Sequence, residues 1–260
     1  MYRVVYALLM LVFLSGLSAC KTTTSLNLVP SSDQQASFVD GNTAIKSTLP
    51  NSTVVLSSAF REIENGSRID VVLNVNNTSD ESFVLDTSAL QIQSAQTGKL
   101  KVYSYDELVA EEKKRKNTAA ALTAFAGAMD VMAASYSGYQ TTTGTYSGTT
   151  YGSYGGSAYS SGTYTATTYN SAAAQQAMDN ANNRMTSNLQ MIEQTSASTL
   201  QGLKNNIMKK TTMEPGMWYG GLVRFDAPAL EEGESRNYTL KVKLGDETHT
   251  FELSQDIIKK

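Results

Sequence analysis

The chain has 260 residues, 17% of them charged, and a formal net charge of −3 at pH 7. Such a chain lacks the clustered Lys and Arg with which proteins hold nucleic acid, so the composition excludes a nucleic-acid partner. It contains one histidine and one cysteine, too few for the common zinc and haem sites. We therefore expect no metal ion and no cofactor.

The chain begins with an apolar segment that predicts a secretory signal. Arg3 precedes an uninterrupted apolar run over residues 4–14, and small residues follow that run. An apolar run of ~7–15 residues between a positive charge and small residues is typical of a signal peptide, whereas a membrane span needs about 20 residues. We predict that residues 1–19 are a signal peptide.

The last residues of this segment, Leu17-Ser18-Ala19-Cys20, resemble the lipobox of bacterial lipoproteins. The resemblance implies that the signal is removed before Cys20 and that the Cys20 thiol receives a diacylglycerol, with acylation of the new amino terminus. Each buried CH₂ contributes about 0.8 kcal/mol, so two or more acyl chains hold a protein firmly on a membrane. Cys20 is the only cysteine, which leaves it no disulfide partner. The alternative is a plain signal peptide with an incidental cysteine.

Lys21 occupies the position after the predicted lipidation site. In enterobacterial lipoproteins, Asp at this position resembles a signal for retention in the inner membrane, and other residues lead to the outer membrane. Lys21 therefore favours a lipid-anchored location in the cell envelope, at the outer membrane of a Gram-negative bacterium.

Residues 20–50 are rich in Ser, Thr, Asn and Gln and show little apolar periodicity. Such a composition is typical of a flexible segment that cannot bury a core. We predict a flexible tether between the lipid anchor and the folded part of the chain.

Two groups of short strands are predicted, in residues 51–105 and in residues 211–260. Arg68–Asn77 alternates apolar and polar residues, and Asn237–Leu244 does the same before the hairpin-type turn Gly245-Asp246. No helix lies between neighbouring strands within either group, which favours an antiparallel sandwich over βαβ units. Seven or eight strands suit an immunoglobulin-like sandwich.

Residues 106–210, between these groups, are predicted to form an inserted helical hairpin. Ser104 and Glu107 form a capping-box pattern before the first helix, and a second helical pattern runs from about residue 172 to residue 210. Its apolar residues have a period near 3.5, as in a coiled-coil seam. In both helices, we expect the large apolar residues and the methionines to pack in the seam between the helices; in the first helix these are Leu122, Phe125, Met129 and Met132.

The helices are separated by a low-complexity tract, residues 136–170, built almost wholly from Tyr, Gly, Ser, Thr and Ala. No Asp, Glu, Lys or Arg occurs from Val131 to Met178. Without aliphatic residues for a core, the tract is predicted to be disordered or loosely extended. Tyrosine rings stack on sugars and on other rings, so the tract is either a sticky surface for a glycan or partner chain, or an unconstrained loop at the hairpin tip.

His249 is the only histidine, and its place in the last predicted strand suggests that it points to solvent. A catalytic role would need a nucleophile and an orienting acid, which the sequence does not mark. We assign no catalytic, cofactor-binding or metal-ligating residue, and Cys20 is the only site residue, for lipidation. Ten methionines raise the possibility of copper handling through thioethers, but helix packing is the favoured explanation.

The sequence therefore predicts an α+β protein: an antiparallel immunoglobulin-like β-sandwich, interrupted by a long α-helical hairpin with a disordered tip. The expected function is that of a non-enzymatic binding or structural module, bound to the membrane through Cys20. Its helical arm would contact an envelope protein or glycan, or self-associate. The alternative is a glycan or peptidoglycan hydrolase, since glycosidases need only a suitably spaced pair of carboxyl groups.

Overall fold

The computed structural model describes residues 22–39, 42–151 and 157–258. The signal segment and Cys20 lie outside these ranges, so the predictions made for them stay predictions. The chain divides into two compact units. We call Met1–Leu108 with Gly202–Lys260 the sandwich unit, and Val109–Gln201 the inserted unit.

The described residues form sixteen strands and two long helices, with a 3-10 turn at Thr87–Ala89. In chain order these elements are β1 (Thr23–Val29), β2 (Gln35–Val39), β3 (Asn42–Thr48), β4 (Ser52–Ser58), β5 (Glu62–Glu64), β6 (Ile69–Asn77), β7 (Phe83–Leu85), β8 (Leu90–Ser94), β9 (Gly98–Leu100), β10 (Val102–Tyr103), α1 (Tyr105–Tyr136), β11 (Tyr139–Tyr151), β12 (Ser157–Tyr169), α2 (Ser171–Asn206), β13 (Thr211–Met213), β14 (Trp218–Phe225), β15 (Ser235–Leu244) and β16 (Glu247–Ile257).

The sandwich unit contains two six-stranded antiparallel sheets, in the orders β5-β1-β16-β15-β8-β9 and β10-β14-β6-β4-β3-β2. Strands β7 and β13 form a separate short pair. Both sheets mix strands from before and after the insertion, because β14 lies between β10 and β6, and β15 lies between β8 and β16. The prediction of an α+β protein with antiparallel sheets and a long helical hairpin is confirmed.

One hydrophobic core joins the two sheets. It follows from the period of two in the strands, since alternate residues of β15 and β16 point to the same side. The central strand β6 contributes Ile69, Val71, Leu73 and Val75, each with no exposed surface. The largest fully buried side chains of the opposing sheet are Tyr238, Leu240 and Phe251, and the ring of Tyr238 meets that of Phe225 edge-on at 5.9 Å.

The prediction of a flexible tether over residues 20–50 is wrong where the structure describes them. Strand β1 pairs with β16 and β5, and β3 pairs with β4. Leu26, Leu28 and Ile45 are buried in the core. The apolar residues of β1 alternate with polar ones that face outward, so the average composition resembles a linker although one face of the strand is apolar.

The prediction of a disordered segment over residues 136–170 is wrong for residues 139–151 and 157–169. Strands β11 and β12, of 13 residues each, pair antiparallel without a register break. Threonine and tyrosine favour extended backbone because their side chains pack well on a pleated surface. Composition therefore excluded a conventional core here but did not exclude strands.

In the inserted unit, α1 and α2 pack antiparallel. Lys116 Nζ lies 2.5 Å from Glu193 Oε2, and farther along α1 a Cβ on Gly127 would lie 2.4 Å from Met185 Sδ. The order of these contacts along the two helices is reversed, as expected for a hairpin. The predicted capping box at the start of α1 is confirmed, since the backbone N–H of Ser104 donates to Glu107 Oε2 at 2.9 Å and that of Glu107 donates to Ser104 Oγ at 3.2 Å.

The role of β1 can be tested by removing one of its buried side chains. Leu26 is 5% exposed and Val29, on the same strand, is 49% exposed. We expect Leu26→Ala to lower the free energy of unfolding by about 2–5 kcal/mol because it leaves a cavity in the core. Val29→Ala should change it by less than about 0.5 kcal/mol. Urea unfolding of both variants is the measurement, and an unchanged midpoint for Leu26→Ala would mean that β1 is not part of the fold.

Candidate functional site

His249 lies inside the sandwich unit and not at its surface, so the prediction that it points to solvent is wrong. Its side chain is 1% exposed, on the same side of β16 as the buried Phe251 and Leu253. The alternation of residues 249, 251 and 253 is the sequence signal that places it there. His249 is therefore a core histidine whose polar atoms need partners.

Two serines of the opposing sheet supply those partners. Nε2 of His249 lies 2.8 Å from Ser52 Oγ on β4, and Nδ1 lies 2.9 Å from Ser47 Oγ on β3. Ser52 Oγ also donates to Glu247 Oε2 at 2.5 Å, and the backbone N–H of Asn51 donates to Glu247 Oε1 at 2.8 Å. These five residues form a continuous hydrogen-bonded cluster between the two sheets, which we call the histidine cluster.

A serine within 2.8 Å of a histidine is the geometry of a catalytic nucleophile, so the position of each proton matters. Ser52 has one hydroxyl proton, and an ionised carboxylate only accepts, so that proton is directed to Glu247. Nε2 of His249 must then carry its own hydrogen and donate to Ser52, while Ser47 donates to Nδ1. In this arrangement the imidazole does not act as a base toward Ser52, and the histidine cluster connects the two sheets.

Burial lowers the pKa of the His249 imidazole, and the nearby Glu247 carboxylate opposes this only in part. Burial disfavours the charged form of histidine, which agrees with a neutral ring that accepts at one nitrogen and donates at the other. The sequence analysis does not predict the histidine cluster, because Ser47 and Ser52 lie about 200 positions away from His249 in the chain.

A cleft of about 490 Å³ lies beside the histidine cluster. Its lining includes Asp80, Glu81, Asp246 and Glu247. Both oxygens of Glu247 are already hydrogen-bonded, so this residue is a structural acceptor. This cleft brings together carboxylates of the kind that the alternative hydrolase chemistry needs as a suitably spaced pair. Within the described ranges, no group of three or more His, Cys, Asp or Glu side chains is placed to hold a metal ion.

Helix α1 has two faces of different kinds. Small or half-buried residues face α2, among them Thr123, Gly127 and Val131, and Gly127 leaves room for the Met185 side chain. The opposite side of the helix carries large apolar residues at successive spacings of three and four, namely Leu122, Phe125, Met129, Met132 and Tyr136. We call these five residues the outer stripe.

The outer stripe is exposed, so the prediction that these residues pack in the seam is wrong for α1. Its side chains have between 50% and 70% of their surface exposed. The physical reason is that the small residues of α1 allow a closer approach of the two helices than the large ones would. On α2 the prediction holds better, since Ala181 is buried and Met178, Met185 and Ile192 are half-buried.

An exposed apolar stripe of this length is unusual for a protein surface, where large contiguous apolar patches mark interaction sites. A spacing of three and four is the pattern by which one helix packs against another. In the part of the chain that the structure describes, α1 is also the one helix long and apolar enough to cross a membrane, judged by length and composition alone.

The hairpin of β11 and β12, which we call the ribbon, also belongs to the inserted unit. One face carries threonine pairs such as Thr143 opposite Thr165, and the other carries the two tyrosine–glycine pairs, Tyr164 opposite Gly144 and Tyr146 opposite Gly162. Tyr139, Tyr159 and Tyr169 lie on the threonine face. Both faces are almost wholly exposed. At the base of the ribbon, the rings of Tyr139 and Tyr169 are 4.9 Å apart, and that of Tyr136 stacks at 6.5 Å from Tyr139. The tyrosines are thus presented on an ordered strand pair.

Comparison with models of protein families, with curated proteins and with solved structures finds no match to this chain.

The neutral state of His249 predicts a pH dependence of stability. Its pKa is lowered in the folded state, so the unfolded chain binds the extra proton first as the pH falls below about 6.5. The free energy of unfolding should therefore be highest above about pH 7 and decrease between about pH 7 and pH 5.

Urea unfolding at a series of pH values measures this effect, with His249→Asn as the comparison. The variant should lack the decrease in that window, even if it is less stable overall. Carboxyl groups whose pKa is held low by hydrogen bonds, such as Glu107 and Glu112, titrate at lower pH and do not interfere. An identical slope in both proteins would show that His249 is not the group responsible.

Proposed function

We propose that this chain is a non-enzymatic binding or structural module of the bacterial cell envelope, anchored in the outer membrane by lipid on Cys20. The lipobox pattern at residues 17–20 and Lys21 support the anchor and its location. For the sandwich unit we propose an immunoglobulin-like arrangement, and for the inserted unit the binding surface for an envelope protein or glycan.

The outer stripe is the observation that carries this proposal. Burying a large apolar side chain contributes about 1.5–3 kcal/mol. The five side chains of the outer stripe are half or more exposed, so a partner that covers them would gain a substantial free energy of binding. The stripe is straight, continuous over four turns of α1, and lies opposite the face that α2 covers. A helix or a groove of matching spacing would bury all five residues at once.

The histidine cluster supports the non-enzymatic part of the proposal. Of the two serines that contact His249, Ser47 donates to Nδ1, and Ser52, at Nε2, directs its own proton to the Glu247 carboxylate. The hydroxyl is therefore committed to holding the fold together, and the chemistry that the cluster best explains is a hydrogen-bonded connection between the sheets.

The outer stripe can be tested by making it polar. We expect Phe125→Ser combined with Met129→Ser to lower the yield of crosslinked complexes in intact cells at least tenfold, because two central residues of the stripe are lost. Met191→Ser is the matched control, since Met191 is 62% exposed on α2 but lies outside the stripe. The melting temperature should stay unchanged in both variants, since exposed side chains contribute little to stability. Undiminished complexes in the double variant would contradict the proposal.

The anchor is tested separately by Cys20→Ser. If Cys20 carries lipid, this variant should leave the membrane fraction and lose the incorporation of labelled palmitate, because the attachment atom is gone. Thr22→Ser, two residues later, should keep both properties. A Cys20→Ser protein that remains in the outer-membrane fraction would contradict lipid anchoring and would leave the binding role of the inserted unit to be decided by the outer stripe.

A further inference from the structure

The ribbon is a sheet with two strands and two free edges. Strands β11 and β12 pair only with each other among the described residues. In an antiparallel pair, every second residue of each strand directs its backbone N–H and C=O away from the partner. Along 13 residues per strand, the ribbon therefore presents two long rows of backbone N–H and C=O groups that its own strands do not pair.

Isolated two-stranded hairpins are marginal in water, and at least a third strand or a covered face is normally needed for stability. The ribbon lacks a covered face, since its side chains are almost all exposed. Its stability thus depends on further pairing, and the free edges are where that pairing can occur.

Natural proteins protect exposed edges with lysine, proline or a β-bulge. None of these devices is present here. No charged residue and no proline occurs from Val131 to Met178, and the described pairing from Tyr139 to Tyr169 has no bulge. The absence of charge also means that two identical ribbons meet without repulsion.

The ribbon contains the same triplet twice, Gly144-Thr145-Tyr146 and Gly162-Thr163-Tyr164, and the two copies pair with each other. Gly144 lies opposite Tyr164, Thr145 opposite Thr163, and Tyr146 opposite Gly162. Each glycine is needed, because a Cβ on Gly144 or Gly162 would lie 2.6 Å or 2.8 Å from the tyrosine ring that covers it. The triplet is therefore complementary to itself in antiparallel pairing.

We propose that the ribbon pairs edge to edge with the ribbon of a second copy of this chain, with the triplet of one copy antiparallel to the same triplet of the other. Pairing through β11 places Thr145 opposite Thr145 of the second copy on a two-fold axis. Thr145 is the midpoint of β11 and Thr163 the midpoint of β12, so this register pairs each strand over its full length.

The register also continues the packing that the ribbon already has. On one face, four threonines form a row across the new sheet, two from each copy. On the other face, tyrosine and glycine alternate across the four strands, and every ring stays over the glycine of its own ribbon. This match between identical triplets is why we commit to a second copy of the chain and not to an unrelated strand.

The two-fold axis provides the test, because a residue on it meets itself. Opposed residues in an antiparallel pair have Cα atoms about 4.5–5.5 Å apart, which is within the range for a disulfide. We expect mild oxidation of the full chain in detergent to convert Thr145→Cys or Thr163→Cys into a disulfide-linked dimer at least ten times more than the control Thr141→Cys.

Thr141 is exposed on the same face of the same strand as Thr145, but in this register its counterpart lies about 27 Å away, eight residues along the strand. Crosslinking at both Thr145 and Thr163 would mean that both edges are used, which also supports the proposal. Equal crosslinking at Thr141 would indicate a parallel, in-register contact and would overturn it, as would dimer formation at neither midpoint. Each variant is made with Cys20→Ser, so that no second thiol contributes.

A second measurement does not depend on thiol chemistry. Thr145→Lys places like charges opposite each other at the β11 edge, and Thr163→Lys, made as a separate variant, does so at the β12 edge, which destabilises the pairing there. The two are not combined, because Thr145 and Thr163 also face each other within one ribbon. In the variant at the edge that is used, the mass from analytical ultracentrifugation should fall, and it should reach that of a monomer where only one edge is used. A wild-type protein that is already monomeric at micromolar concentration would overturn the proposal.

This inference extends the proposed binding role of the inserted unit by naming one partner, and the two can fail separately. Midpoint crosslinks in the presence of Phe125→Ser and Met129→Ser show ribbon pairing whatever the outer stripe does. Loss of envelope complexes in that double variant, without midpoint crosslinks in the wild-type background, supports the outer stripe alone.

Discussion

Helix α1 is apolar on two opposite sides, and one neighbouring helix can bury only one of them. Its small side packs against α2 through Gly127 and its neighbours, and this packing fixes which way the large side points. The outer stripe is therefore exposed as a direct consequence of the hairpin. The proposed binding role of the inserted unit depends on this constraint, because a side that the protein's own hairpin cannot cover needs an external partner.

The sandwich unit accommodates the insertion because neighbouring strands in its sheets need not be neighbours in the chain. Strand β14, after the insertion, lies between β6 and β10, both of which precede it. The hydrogen bonds of the histidine cluster add a polar connection between the sheets, from His249 on β16 to Ser47 and Ser52 on β3 and β4. The sandwich unit is thus held together by strand pairing, by one apolar core and by a neutral histidine, and the residues that provide these belong to the sandwich unit itself.

The sequence predicted what local periodicity determines. The extent of α1, the start of α2, the capping box at Ser104 and Glu107, and the alternation of β6 and β15 are predicted correctly, because each depends on residues a few positions apart. The predicted end of α2 at residue 210 is wrong, because α2 ends at Asn206 and Ile207 pairs with Leu222 of β14. The sequence does not predict that the outer stripe is exposed. The spacing of the apolar residues shows that Leu122, Phe125 and Met129 share one side of α1, but it does not show whether α2 packs against that side or against the side of Gly127.

Composition was the less reliable guide. Residues 22–50 are polar on average, yet Leu26 and Leu28 complete a sheet by pairing with β16. The ribbon lacks aliphatic residues, yet Thr–Thr and Tyr–Gly pairs across its strands give it order. The cluster around His249 joins residues about 200 positions apart, a distance at which a single sequence carries no signal.

The most direct test of the binding role is oxidative footprinting of methionines in intact cells. Met129 and Met132 on the outer stripe are 50% and 54% exposed, and Met191 is 62% exposed elsewhere on the inserted unit, so the three should oxidise at similar rates in an isolated chain. If the stripe is covered by a partner in the envelope, Met129 and Met132 should form sulfoxide at least five times more slowly than Met191. Equal rates for all three methionines in cells would contradict the account.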